Sequence, residues 1–178
     1  MQESCVSKLR KCAMEISVRK ATADDYESLC ELFDEGDALH RDNLPQIFQK
    51  PGGAVRERDY YCGLITDESI ALFVAEAGGN LVGFVHAMVR DAPALPMFVP
   101  RCYAIVDGIV VKSGFQNRGI GGTLMEKMHE WAIAKGAGSI ELNVYEFNGN
   151  AISFYESLGY RAFSRKMGKD LNRDKAAG

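Results

Sequence analysis

The chain reads as one α/β (α+β) domain built on a mixed sheet, and three stretches lead to that expectation. Ile70 to Glu76 and Leu81 to Arg90 are apolar, β-branched runs separated by Gly78-Gly79-Asn80, the pattern of an antiparallel hairpin. Cys102 to Val111 is a further apolar run, and it leads through a polar turn into a glycine-rich helix start at Gly119. Ser139 to Tyr145 follows that helix, so strand, helix and strand succeed one another as in a parallel crossover. A hairpin in front and a crossover behind require both antiparallel and parallel neighbours.

The remaining elements follow from local pattern. Glu15 to Lys20 is a short strand with Ile16 and Val18 on one face. Thr22 to Asp25 supplies capping oxygens and negative charge for a helix N-terminus, and Tyr26, Leu29, Cys30, Leu32 and Phe33 recur at helical spacing after it. Asp34 to Asp37 is expected to break this helix, with a second short one around Ala38 to Leu44. Pro45 to Gly53 is loop, and Arg56 to Ile65 is helix with Tyr60, Tyr61 and Leu64 inward. Three prolines make Asp91 to Pro100 a loop, which could overhang whatever binds at the next strand. From about Gly119 to Lys135 a helix carries Ile120, Leu124, Met128 and Trp131 as its apolar stripe, and Gly136 ends it. Asn150 is expected to cap a short helix from Ala151 to Ser157, and Tyr160 to Lys169 is expected as a last strand.

Composition bounds the function. The 178 residues suit a single domain, read as an extension (1–13), a domain (14–170) and a polar tail (171–178). A net charge of -3 gives no reason to expect nucleic acid as a partner. No apolar run approaches the ~20 residues that cross a bilayer, and the charged first residues do not resemble a signal peptide, so no membrane is expected. Five cysteines without Cys-x-x-Cys spacing argue for a reducing, cytoplasmic setting. His40, His86 and His129 lie far apart, and no metal site is expected.

The Ile105–Gly122 stretch is where chemistry concentrates. Glycines at a helix N-terminus behind a strand form an anion site, because free N–H groups and the helix dipole converge there. A mononucleotide P-loop fails: Gly114 and Gly119 are followed by Ile120 and Gly121, with no lysine. The dinucleotide fingerprint also fails, since Leu124 stands where its third glycine belongs. Gln-x-x-Gly-x-Gly is met by Gln116, Gly119 and Gly121. Downstream, Asn148-Gly-Asn150-Ala151-Ile-Ser-Phe154-Tyr155-Glu156-Ser-Leu-Gly159-Tyr160 forms a second motif. Together, and in this order, these segments resemble the GNAT superfamily of acetyl-CoA-dependent N-acetyltransferases over roughly Glu15 to Lys169.

The resemblance implies a GNAT-like fold in which the central strands splay apart. It implies that the loop of Gln116, Asn117, Arg118, Gly119, Ile120, Gly121, Gly122 and Thr123 holds the pyrophosphate of acetyl-CoA. Ile109, Val110 and Val111 would run along the pantetheine, joined by Asn150. Tyr155 would be the general acid, set against a plain reading as an aromatic core residue. For the general base the chain offers Asp107, a carboxylate among apolar neighbours that needs a reason to be there. Glu146, Tyr103, His86 and water are the alternatives. Gly108 fits a bulge or a close approach in mid-strand.

For the acceptor, Asp34, Glu35, Asp37, His40 and Asp42 form an acidic cluster that would attract a cationic amine, or simply face solvent. Three functions are weighed: acetylation of a small primary amine in a ternary complex, the same chemistry on a protein or peptide amine, and a non-catalytic acyl-CoA-binding module. The resemblance leaves a homodimer open.

Overall fold

The computed structural model describes residues 15–169 and 171, so the expected extension over residues 1–13 lies outside the described residues. Among these residues five strands form one sheet in chain order: β1 (Ile16–Lys20), β2 (Ile70–Ala77), β3 (Asn80–Asp91), β4 (Cys102–Val111) and β5 (Ile140–Leu142). The first three junctions are antiparallel and β4–β5 is parallel. The β2–β3 hairpin turns where expected, with Gly78 and Gly79 at φ of +57° and +77°, a region open to glycine at little cost.

Among the described residues four α-helices accompany the strands: α1 (Tyr26–Asn43), α2 (Arg58–Thr66), α3 (Ile120–Ala134) and α4 (Gly149–Ser157). The chain divides after Asn143 into two compact units, the second of which holds α4. In the first unit, Leu29, Leu32 and Phe33 of α1 and Tyr61 and Leu64 of α2 bury against Leu72, Val74, Leu81 and Phe84 of the sheet. Each such side chain contributes roughly 1.5–3 kcal/mol when fully buried. α3 turns Ile120, Leu124, Met125, Met128 and Trp131 inward, and a Cβ on Gly83 would stand 3.4 Å from Leu124. Because Gly83 and Phe84 project to opposite faces of β3, the sheet carries α3 on one face and the α1–α2 core on the other.

Several expectations are corrected. α1 does not break at Asp34–Asp37 but runs unbroken. The acidic residues that argued for a break each find a partner: Asp34 accepts from Arg41 at 2.8 Å, Asp37 from Arg56 at 2.9 Å, and Glu35 from the Ser113 N–H at 2.8 Å. β5 is three residues long rather than seven, and ends at Leu142. The expected last strand, 160–169, joins no ladder among the described residues; its large apolar groups Phe163 and Met167 stay exposed, so no burial draws it into a sheet. The cap of α4 is Asn148, whose side chain accepts the Ala151 N–H at 3.1 Å, rather than Asn150, which lies exposed in the first turn.

Candidate active site

β4 carries the site because only part of it is paired on both sides. β5 covers Ala104 to Val106, in register with Ile140 to Leu142, and then stops while β4 continues to Val111. The Lys112 N–H donates to the Val82 carbonyl on the β3 side at 2.8 Å. Backbone direction alternates along a strand, so the N–H and C=O groups of Ile109 and Val111 face the opposite edge, where no strand among the described residues pairs with them. The Val111 carbonyl is taken instead by the Gln116 side-chain amide, at 3.0 Å. Thus the expected splay is present, and Gln116 ties the open edge to the loop that follows.

That loop turns tightly into α3. Asn117 has φ of +58° and Gly119 has φ of +83°, both left-handed. Gly119 is the N-cap, and its carbonyl accepts from the Thr123 N–H at 3.0 Å. The N–H groups of Ile120, Gly121 and Gly122 therefore precede the first intrahelical bond and point out of the helix end. Beyond its chain neighbours and its own helix backbone, a Cβ added to Gly119 or Gly122 would meet no atom of the described residues within 4 Å. Packing on the sheet therefore does not demand glycine at either place. Gly119 is explained by its φ; Gly122 is not explained by the fold at all. Arg118 lies over the Phe115 ring at 5.4 Å and has no carboxylate partner among the described residues, leaving one uncompensated cation beside the helix end.

On the α1–α2 face of the sheet, the β3–β4 ladder slips by one residue. His86 faces Gly108 while Ala87 faces Val106, so Asp107 is the extra residue of a β-bulge. The expected irregularity at Gly108 is thus real. The bulge brings the Asp107 carboxylate to 3.3 Å from His86 Nδ1. His86 is 4% exposed and its Nε2 has no hydrogen-bond partner among the described residues, whereas the Asp107 side chain is 58% exposed. The hydrogen bond from His86 holds the Asp107 carboxyl below the usual carboxylate range against the cost of burial, and Arg56 and Arg90 push the same way. Arg56 stacks on Phe33 at 4.8 Å and pairs with Asp37. The acidic cluster of α1 is accordingly neutralised at Asp34 and Asp37, and its exposed pull on a cation is weaker than the bare sequence implied. The rings of His40 and Phe48, spaced apart in sequence, meet in a tilted contact with centroids 5.3 Å apart.

In the second unit, Tyr155 is buried on α4 against Phe154 and Tyr160, with ring centroids at 5.4 and 5.8 Å. Burial pushes its phenol up to about 12, so it holds its proton throughout the neutral range. Glu146 lies exposed beside Arg165 at 3.5 Å. Asn148 is the residue the sequence reading passed over here; its place immediately before the first helical turn was the available signal.

Comparison with known proteins bears on the whole arrangement. The profile of the acetyltransferase (GNAT) family matches residues 33–160. The chain is 31% identical over 144 residues to an uncharacterized N-acetyltransferase of Methanocaldococcus jannaschii, covering 81% of this chain and 60% of that protein. It is 30% identical over 79 residues to the L-ornithine N5-acetyltransferase of Arabidopsis thaliana, covering 44% of this chain and 35% of that protein. It therefore spans less than two-thirds of either relative. A solved tetramutant protein from Bacillus halodurans shares the fold at a TM-score of 0.82 and 24% identity, over 87% of this chain and 99% of that one. No helix among the described residues is long and apolar enough to cross a membrane.

Proposed function

The chain belongs to the acetyltransferase (GNAT) family, and we propose that within it this protein transfers the acetyl group of acetyl-CoA to a small primary amine. The observation that carries this reading is Gly122: a glycine that neither packing nor backbone conformation requires, in the first turn of α3 beside free N–H groups. A Cβ there would project into space that the described residues leave open. Phosphate oxygens of a diphosphate fit that cradle, and Arg118 adds a compensating charge.

When bound, acetyl-CoA would supply the activated thioester carbonyl. The open backbone edge at Ile109 and Val111 would pair with its amide arm, and a strand N–H would stabilise negative charge on the carbonyl oxygen. Asp107, exposed at the bulge, would hold the acceptor's ammonium group and, after the amine has lost one proton to water and attacked, would take the second N–H proton as the adduct breaks down. Tyr155 Oη would give its proton to the departing sulfur. Asn150 keeps the cofactor-binding role its motif implies; it is free of the capping duty, which Asn148 performs.

A small amine is preferred over a protein amine because one relative acts, by its name, on L-ornithine. The test is thiol release from acetyl-CoA across a panel of diamines, amino acids with side-chain amines, and lysine-containing peptides. Turnover with small amines and not with peptides is expected; turnover with peptides alone would overturn the acceptor class. Failure of acetyl-CoA to bind, read by calorimetry, would overturn the reading altogether.

A further inference from the structure

The pair formed by His86 and Asp107 has more structure than an exposed carboxylate at an acceptor site needs. His86 is almost wholly buried on β3, its Nδ1 is 3.3 Å from Asp107 Oδ2, and its Nε2 meets no partner among the described residues. A buried N–H without an acceptor is costlier than a buried lone pair with a weak alternative, so the ring's proton belongs on Nδ1, where the carboxylate accepts it. The bulge is what makes this contact: it sets Asp107 and Gly108 together against the single residue His86. Asp107 thus spends Oδ2 on the protein and keeps Oδ1 for something else.

We propose that His86 is a positioning residue: its buried Nδ1–H fixes the Asp107 carboxylate at the bulge and leaves Oδ1 for the ammonium group of the acceptor. The inference rests on the acceptor role given to Asp107 above. It assigns the dyad to binding a cationic amine rather than to abstracting a proton from it at the outset. A carboxylate held below its usual range is a weak base toward an ammonium but a dependable counter-ion. The groups acting on it are His86 of β3 through its hydrogen bond, and the charges of Arg90 of β3 and of Arg56 from the segment before α2, the last already paired with Asp37 of α1. The bound ammonium first gives one proton to water, and the freed lone pair forms the C–N bond as the carbonyl pair moves to oxygen. When that pair returns and the C–S bond breaks, Oδ1 takes the second N–H proton while the departing sulfur receives its own from Tyr155.

The experiment compares KM and kcat for a cationic alkylamine and for an arylamine that is neutral at the assay pH. His86→Leu is expected to raise KM for the alkylamine by roughly tenfold to a hundredfold, the value of a hydrogen bond to a charged group. KM for the arylamine and for acetyl-CoA should stay unchanged. His86→Asn, whose amide can reach the Nδ1 position, should restore most of the affinity, and His86→Gln, longer by a methylene, should not. Equal losses for both amines, or equal behaviour of the Asn and Gln variants, would overturn the proposal; the Asn–Gln comparison still decides it if the leucine variant does not fold. Asp107→Asn separates the two levels. Unchanged alkylamine KM in that variant would remove Asp107 from the acceptor site, whereas weakened binding there with His86→Leu unaffected would remove His86 alone.

Discussion

Gly36 of α1 stands against Val110 of β4 so closely that a Cβ on Gly36 would lie 2.6 Å from Val110 Cγ2. The helix can approach the strand at this depth only because residue 36 has no side chain. That approach seats Phe33 on Phe84, with ring centroids 4.6 Å apart, and brings Asp37 to Arg56. One glycine thus sets the distance between α1 and the strand with the open edge.

Gly36→Ala should therefore destabilise, although alanine favours helix by up to about 1 kcal/mol. Overpacking at Val110 costs typically 1–3 kcal/mol. A net loss of about 1 kcal/mol by denaturant unfolding is expected, with a raised KM for acetyl-CoA as Val110 shifts the neighbouring backbone. A gain in stability would mean that Val110 turns aside freely.

Gly122→Ala should separate stability from function. With no protein atom near the added methyl, the change should stabilise α3 by about 0.5–1 kcal/mol, the ordinary gain of alanine over glycine in a helix. The same methyl should weaken acetyl-CoA binding, measured by calorimetry. Gly119→Ala provides the contrast: its φ of +83° is strained for any side chain, so stability should fall by about 1–2 kcal/mol. Tighter or unchanged cofactor binding by the Gly122 variant would deny the loop its role as an anion cradle.

These glycines show what could be read in advance. Gly119, Gly121 and Gly122 were legible because a short local spacing beside a strand has few other uses. Gly36 was not: read locally, an aspartate-rich stretch with a glycine signals a helix break, and only the long-range partners Val110, Arg56 and Ser113 show why the helix continues. The same holds for Asp107. Its carboxylate in an apolar strand announced a purpose, but the bulge that turns it to His86 depends on the register of β3 against β4. β5 and the segment after α4 were overcalled for the opposite reason, since β-like side chains predict a strand only where a neighbour accepts their backbone. Asn150 stands immediately before the expected helix at Ala151, whereas α4 starts at Gly149 behind Asn148, and a shift of two residues lies within ordinary boundary error.

Asp25 gives a pH prediction with a defined sign. Two bonds from the Arg19 guanidinium, at 2.7 and 2.9 Å, and one from the Thr22 N–H at 2.7 Å hold its pKa down from 3.8 to about 2. Because the folded value lies below the unfolded one, the stabilisation is present in full above pH 3.8 and is lost as pH falls through about 2. The difference corresponds to about 2 kcal/mol. The stability gap between wild type and Asp25→Asn, measured by urea unfolding, should narrow by that amount between neutral pH and pH 2. A gap independent of pH would show that the pair with Arg19 contributes nothing through its charge.

Tyr155 allows proton donation to be tested apart from binding. Its phenol, raised to about 12 by burial, is fully protonated at neutral pH, as a general acid must be. Tyr155→Phe keeps the ring and its contacts with Phe154 and Tyr160, so folding and acetyl-CoA affinity should be preserved. Loss of a general acid should lower kcat by about a hundredfold or more when the leaving thiol is basic. An acetyl thioester of an acidic aryl thiol departs without needing that proton. With such a donor the variant should approach wild-type turnover. A variant equally slow with both thioesters would make Tyr155 a packing residue and move the search for the acid elsewhere.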